Sequence, residues 1–189
     1  MKLHKYLILI LLVTGLFFLH ERTAENEIAE EANLTVTTPG MHITSSAFAN
    51  NANMPAKYSC EGEGVNPPLS FSQIPEGTVS LALVLHDPDA PREGGFTHWV
   101  IFNMAPTTTE IKENSNPASG IQGANGTGES GYRAVCPPTG VHHYSFKLYA
   151  LDAVMDLDSS ATKEALESAM EGHILEQAEL AGLYQKANN

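Results

Sequence analysis

Hydrophobic residues alternate with polar or smaller residues in several short runs along the chain. In VSLALVLH, at residues 79–86, leucine falls on every second position, and YSFKLYAL, at 144–151, repeats this spacing with other apolar residues. A period of two is typical of strands that bury one face. LTVTT at 34–38 and HWVIFNM at 98–104 are similarly rich in strand-forming residues. The sequence therefore predicts β-strands at these four places.

Helical spacing appears only after Asp156. Ser159 or Ser160 is a suitable N-cap, Gly172 is a suitable end, and one apolar stripe lies between them. The stripe consists of Ala161, Ala165, Leu166, Ala169 and Met170. A second amphipathic segment, at 174–185, predicts another helix. Because strands come first and helices last, the chain is predicted to be mainly β: an antiparallel β-sandwich with C-terminal α-helices.

Residues 1–24 have the pattern of a secretory signal, with two lysines before an apolar run at 6–19. As a helix, that run reaches about 21 Å, less than the ~30 Å hydrocarbon core of a membrane. Cleavage is therefore expected, and an uncleaved membrane anchor is the alternative. Residues 25–33 are acidic and predict a tether. The folded domain is expected at 34–189, exported to the periplasm or secreted.

The charge balance restricts the class of partner. The chain has 22 acidic residues and 10 Lys or Arg, which gives a net charge of −12. Nucleic acid is not an expected partner, because contacts to its phosphates need clustered cations. A small anion can still bind through local donors such as His, backbone N–H groups or an isolated Arg.

The chain contains two cysteines, Cys60 and Cys136. An export route would take both into an oxidising compartment, where disulfides form and persist. A Cys60–Cys136 disulfide is one interpretation of this pair. Two small buried thiols are the other.

Two turn-rich segments carry four of the eight histidines of the chain. HDPDAPREGGFTHWV, at 86–100, places Asp87 directly after one predicted strand and His98 at the start of the next. CPPTGVHHY, at 136–144, brings His142 to the start of another strand. If these strand ends converge, the carboxylate raises the pKa of an adjacent imidazole, which then donates to a phosphate or carboxylate. In the alternative, the aspartates only cap turns and His98 packs in the core.

DPDAP, the His that opens the following strand, and CPP-x-G-x-H-x-Y together resemble the phosphatidylethanolamine-binding protein family. They are most similar to its bacterial branch, the Raf-kinase-inhibitor-like proteins. YSCEGEGVNPPLSF at 58–71 and AMEGHILEQAELAGLYQ at 169–185 also resemble that branch. The resemblance extends from about Thr35 to Gln185, and its motifs occur in the same order.

The resemblance implies a β-sandwich with one shallow pocket for small anions or for phosphoryl and phospholipid headgroups. The residues expected to line it are Asp87, His98, Pro137, Pro138, His142 and Tyr144. Two departures bear on ligand preference. His143 stands where the family usually has Arg, and NGTG at 125–128 stands where bacterial relatives often have NDFG. This chain is therefore expected to lack a permanent cation and an aromatic ring near the pocket.

The resemblance implies a binding protein without catalytic residues, metal or cofactor, able to regulate a kinase or protease and to form a homodimer. One alternative is an interaction or inhibitor module that has no physiological small ligand. Another is a metal-dependent hydrolase, although no HExxH pair is present. A serine hydrolase is disfavoured, since GESG around Ser130 is not the G-x-S-x-G elbow.

Overall fold

The computed structural model describes residues 40–187. Within this range the chain forms nine β-strands and one α-helix, with a short 3-10 helix at Ala56–Tyr58. The elements in chain order are β1 (His42–Thr44), β2 (Ala52–Asn53), β3 (Leu69–Ser72), β4 (Ser80–Asp87), β5 (Phe96–Met104), β6 (Glu110–Ile111), β7 (Ile121–Gln122), β8 (His142–Leu151), α1 (Lys163–Met170) and β9 (Ile174–Tyr184).

Three of the four predicted strands are confirmed, as β4, β5 and β8. β4 pairs with both β5 and β8 inside a six-stranded sheet of order β2-β9-β8-β4-β5-β7. A second sheet has the order β1-β3-β6. The pairing is antiparallel except between β2 and β9, which run parallel. The mainly β, antiparallel sandwich is therefore confirmed, while the predicted strand at 34–38 lies outside the described residues.

The main core lies between the two sheets. Leu81, Leu83 and Leu85 of β4 belong to the same buried cluster as Phe71 of the small sheet. The other side of β4 is also buried, because Ala82 and Val84 pack in a second cluster that includes residues of α1. Burial on both faces holds β4 rigidly, so Asp87 at its end has a well-defined position.

The helix predicted after Asp156 is confirmed as α1. Its N-cap is Thr162, whose Oγ1 accepts from the backbone N–H of Ala165 at 3.3 Å, so the assignment of the cap to Ser159 or Ser160 was wrong. Ser160 instead donates to the Asp158 carboxylate in the preceding turn. Gly172 adopts a positive φ of 80° just beyond the helix, as expected for a residue that ends it.

The second predicted helix was wrong, because Ile174–Tyr184 is strand β9. Its residues pair with β8 from Ile174↔Leu151 to Tyr184↔His142. Buried positions alternate in the second half of the strand, at Leu180, Gly182 and Tyr184. Alternation of this kind suits a strand, and the long ladder with β8 outweighs the local helical spacing. The fold therefore has one C-terminal helix in the described range.

The predicted export segment at 1–24, the tether at 25–33 and the domain start at residue 34 lie outside the described residues. In the range that the structure covers, no helix has the length and apolar content needed to cross a membrane.

Candidate functional site

Strand pairing brings the ends of three strands together. β4 lies between β5 and β8, with Asp87 opposite Phe96 on one side and His86 opposite Ser145 on the other. The end of β4, the start of β5 and the start of β8 therefore meet at one edge of the large sheet. This places the DPDAP turn next to the CPP-x-G-x-H-x-Y segment, so the convergence that the sequence left open is present.

Asp87 and His142 form a buried pair. His142 Nδ1 lies 2.8 Å from Asp87 Oδ2, and the two residues are 6% and 3% exposed. The other carboxylate oxygen, Oδ1, accepts from the backbone N–H of Asp89 at 2.9 Å. Because an ionised carboxylate only accepts, Nδ1 of His142 carries the hydrogen of the shared bond. The pairing leaves Nε2 of His142 for another partner.

His98 owes its position to an irregularity in the β4–β5 ladder. Leu85 pairs with Trp99, but the next residue, His86, pairs with Thr97, so β5 carries one extra residue at His98. A β-bulge of this kind re-aims a side chain. The His98 ring packs edge-on against Tyr144 of β8, with their centroids 5.3 Å apart.

His98 is held in a buried, desolvated environment. Its Nδ1 lies 2.9 Å from the backbone oxygen of Arg133, and the ring is 4% exposed. Burial lowers the pKa of His98 to about 4, and the hydrogen bond to Arg133 and the charge of Asp87 only partly oppose this. The expectation that a nearby carboxylate would raise the pKa of the imidazole was wrong for His98, because desolvation is the larger effect.

Tyr144 is fully buried beside both histidines. Its ring stacks with that of His142 at 6.4 Å between centroids, and its residue exposure is 0%. Among the described residues, its hydroxyl has no hydrogen-bond partner. Burial, followed by the charge of nearby Asp87, raises the pKa of Tyr144, so the hydroxyl keeps its proton at neutral pH. The Asp87 carboxylate and the backbone N–H of Cys136 lie near enough to act on its pKa, but neither forms a well-aligned hydrogen bond with the hydroxyl.

The CPP segment is anchored by a disulfide between Cys60 and Cys136. The structure agrees with the disulfide interpretation of the cysteine pair and not with two buried thiols. The backbone N–H of Cys60 also donates to the oxygen of Val135 at 3.0 Å. Pro137 follows directly and is buried, whereas Pro138 is exposed. Both prolines thus adjoin the anchored Cys136, but their contact with a ligand stays a prediction.

Asp89 and His143 form a second pair that the sequence reasoning missed. Asp89 Oδ2 accepts from the backbone N–H of His143 at 2.8 Å and lies 2.7 Å from its Nδ1. These hydrogen bonds lower the pKa of the Asp89 carboxyl. The signal was present in the spacing: the second Asp of DPD faces the second His of VHHY. The two pairs together tie the DPDAP turn to the start of β8.

The side chains of Asp87, His98, His142 and Tyr144 mark the candidate site by their chemistry and not by the size of a cavity. One cleft of about 640 Å³ includes Val141, and another of about 300 Å³ includes Thr97, but Asp87, His98 and His142 line neither of them. Among residues 40–187, no group of three His, Cys, Asp or Glu side chains has an arrangement that could hold a metal ion.

The protein is similar to others over most of its length. A UPF0098 protein of Methanothermobacter thermautotrophicus is 47% identical over 151 residues, which cover 77% of this chain and 99% of the relative. A UPF0098 protein of Chlamydia muridarum is 47% identical over 150 residues, with coverages of 77% and 99%. These relatives therefore match the part of the chain that carries the cluster.

Solved structures show the same fold. A putative phosphatidylethanolamine-binding protein homologue from Chlamydia trachomatis has a TM-score of 0.76 and 44% identity, covering 78% of this chain and 99% of that one. Escherichia coli YbcL, described as a new member of the mammalian PEBP family, has a TM-score of 0.74 and 29% identity, with coverages of 79% and 100%.

Residues 44–185 match the family model described as phosphatidylethanolamine-binding protein. The match runs from the last residue of β1 to the residue after β9, so it includes both sheets, α1 and the clustered side chains. Fold, motif order and sequence similarity agree over the same range. The chain therefore belongs to the phosphatidylethanolamine-binding protein family.

Proposed function

We propose that this protein binds a small phosphate-containing anion or phosphoryl headgroup at the edge of the large sheet. The pocket is lined by Asp87, His98, Pro137, Pro138, His142 and Tyr144. The observation that carries the proposal is the Tyr144 hydroxyl, which is fully buried and without a partner among the described residues.

An unpaired buried hydroxyl costs about 1–3 kcal/mol of stability, and native proteins usually avoid it. A ligand oxygen beside Tyr144 would remove that cost. The raised pKa of Tyr144 supports this role, because the hydroxyl then donates its hydrogen at neutral pH. A bound anion would supply Tyr144 with the well-aligned acceptor that the Asp87 carboxylate does not provide.

The Asp87–His142 pair fits the same proposal. A lone carboxylate would repel an anion, but here His142 lies 2.8 Å from it and offsets its charge when protonated. The protonated ring then presents Nε2–H as a second donor. Because the chain has a net charge of −12, such local donors must provide the attraction.

The proposal is for binding without chemical conversion, in an exported protein that controls a partner such as a kinase or protease. Two observations support export: the signal-like pattern at 1–24 and the Cys60–Cys136 disulfide, a bond typical of oxidising compartments. The mass of the purified mature protein would test whether the first 24 residues are removed.

The sharpest test of binding is Tyr144→Phe, which removes only the hydroxyl. We expect phosphate affinity, measured by calorimetry, to fall about 10-fold or more, because a hydrogen bond to a charged ligand is lost. The free energy of unfolding should stay equal or rise, because an unpaired polar group leaves the core. His142→Ala is less suitable, since it leaves Asp87 buried without its partner.

Tyr149→Phe is the matched control, because Tyr149 lies on β8 but packs on the opposite face of the sheet. It should leave phosphate affinity unchanged. Equal affinities for the unaltered protein and Tyr144→Phe would contradict the role of the hydroxyl. No binding by the unaltered protein at millimolar phosphate would contradict the proposed function and favour the interaction module.

A further inference from the structure

One of the two ring nitrogens of His98 already has a hydrogen-bond partner within the protein. Its Nδ1 lies 2.9 Å from the backbone oxygen of Arg133. A carbonyl oxygen can only accept, so Nδ1 must carry a hydrogen. The backbone of Ala134 also acts on the ring, but no well-aligned hydrogen bond to Nε2 is present among the described residues. What His98 can offer a ligand therefore depends on whether Nε2 also carries a hydrogen.

The surroundings of the ring keep it neutral. Phe96 packs edge-on at 4.7 Å and Tyr144 at 5.3 Å, both measured between ring centroids. The titratable or charged groups that act on the ring, or on the Phe96 and Tyr144 rings beside it, include His86, Asp87, Arg92, Tyr132 and His142. Within the described range no carboxylate forms an ion pair with His98, since Asp87 pairs with His142. The low pKa of His98, about 4, agrees with this environment.

A neutral imidazole that donates from Nδ1 has a lone pair on Nε2. The pocket thus combines a donor, the Tyr144 hydroxyl, with an acceptor, Nε2 of His98. A ligand made only of acceptor oxygens would satisfy Tyr144 but would place its own lone pairs against that of His98. A ligand that also carries a hydrogen would satisfy both groups.

We infer that the pocket prefers an anion that carries a hydrogen over anions of similar shape that carry none. The preferred ligand is a phosphate group that still holds one proton. This inference rests on the proposed function and specifies its ligand class. Sites built to pair a ligand hydrogen discriminate against analogues that lack it, because a buried polar group is then left unpaired. His98 is the residue that determines this specificity.

Inorganic phosphate and sulfate provide the first test. At pH 7 phosphate keeps at least one P–OH group, whereas sulfate has no hydrogen. Calorimetry on the purified protein should give an affinity for phosphate at least about 10-fold higher than for sulfate. A smaller ratio would overturn the inference while leaving anion binding intact. Failure of phosphate itself to bind would instead remove the proposed function.

Methyl phosphate and dimethyl phosphate separate a monoester ligand from a diester headgroup. At pH 5 the monoester holds one proton, since the second pKa of such groups is about 6, while the diester has none to hold. His98 is still neutral at that pH, because its pKa is about 4. We expect the monoester to bind at least about 10-fold more tightly. Equal binding of the two esters would overturn the inference.

His98→Gln tests whether His98 causes the preference for phosphate over sulfate, because the glutamine amide can either donate or accept a hydrogen bond. The ratio of phosphate to sulfate affinity should fall towards one. His143→Gln is the matched control, since His143 is exposed and contacts Asp89 instead, and its ratio should match that of the unaltered protein. An unchanged ratio in His98→Gln would overturn the assignment. If that variant fails to fold, the ratios of the unaltered protein still decide.

Discussion

Single residues at the sheet edge show how burial changes the chemistry of a side chain. The rings of His98 and His142 both pack against Tyr144, yet of the two only His142 has a carboxylate partner. His98 is desolvated without such a partner and is neutral, while Tyr144 is desolvated and keeps its proton. Side chains of the same type thus have different roles because their neighbours differ.

The neutral state of His98 predicts a pH-dependent stability. Its pKa is about 4 in the folded protein and 6.5 ordinarily, so between these values the unfolded chain binds a proton that the folded chain does not. The stabilising contribution is complete above about pH 6.5 and is lost as the pH falls to 4, a change of about 3 kcal/mol. Denaturant unfolding at several pH values measures it.

His98→Gln should reduce this pH dependence, whatever it does to stability at pH 7. His42→Gln, which alters an exposed residue of β1, is the control. It should leave the slope of unfolding free energy against pH unchanged. An equal slope in His98→Gln and the unaltered protein would show that other groups, His86 among them, cause the effect.

At the scale of elements, β9 differs between its two edges. One edge pairs with β8 along the strand, while the other pairs with β2 only at Gly182 and Leu183 within the described range. The oxygens of Ala181 and Leu183 accept from residues 51 and 54, so odd-numbered residues direct their backbone groups to the outer edge. Gln177 therefore directs its N–H outward, whereas Ala178 directs its N–H to β8.

Proline substitutions should distinguish the two edges. Gln177→Pro removes an outward N–H and should cost less than about 1 kcal/mol of unfolding free energy. Ala178→Pro removes a hydrogen bond of the β8–β9 ladder and should cost about 3 kcal/mol or more. Thermal and denaturant unfolding of both variants provide the comparison, with Gln177→Ala as the control for the lost side chain. Equal destabilisation by the two prolines would contradict this description of the edge.

At the scale of the whole molecule, the Cys60–Cys136 disulfide joins segments 76 residues apart. One cysteine lies just after the short 3-10 helix, and the other lies just before the two prolines of the site. A bridge across such a long loop stabilises the fold mainly by restricting the unfolded chain. It also restrains the backbone next to Tyr144.

Replacing both cysteines by serine should lower the free energy of unfolding by about 4 kcal/mol, the value expected from the loop length. Denaturant unfolding measures this loss, and reduction of the unaltered protein with dithiothreitol should reproduce it. A change below about 1 kcal/mol would show that the bridge contributes little to the fold. Phosphate affinity measured on the folded variant would show how far the bridge also shapes the pocket.

The sequence by itself determined the parts that depend on neighbouring residues. β4, β8 and α1 follow from periodicity, and β5 follows from its content of strand-forming residues. Asp87 and His142 stand at strand ends because turn-forming Pro88 follows Asp87 and turn-forming Gly140 lies two residues before His142. Family membership also followed from motifs and their order, since these are local.

Only the tertiary structure decided the remainder. Residues 174–184 became a strand because β8 offered a long ladder, which outweighs helical spacing. His98 became neutral and the Tyr144 hydroxyl was left without a well-aligned hydrogen bond because several segments, distant in sequence, exclude water from them. Long-range pairing and desolvation depend on which segments meet in space, and a local pattern does not contain that information.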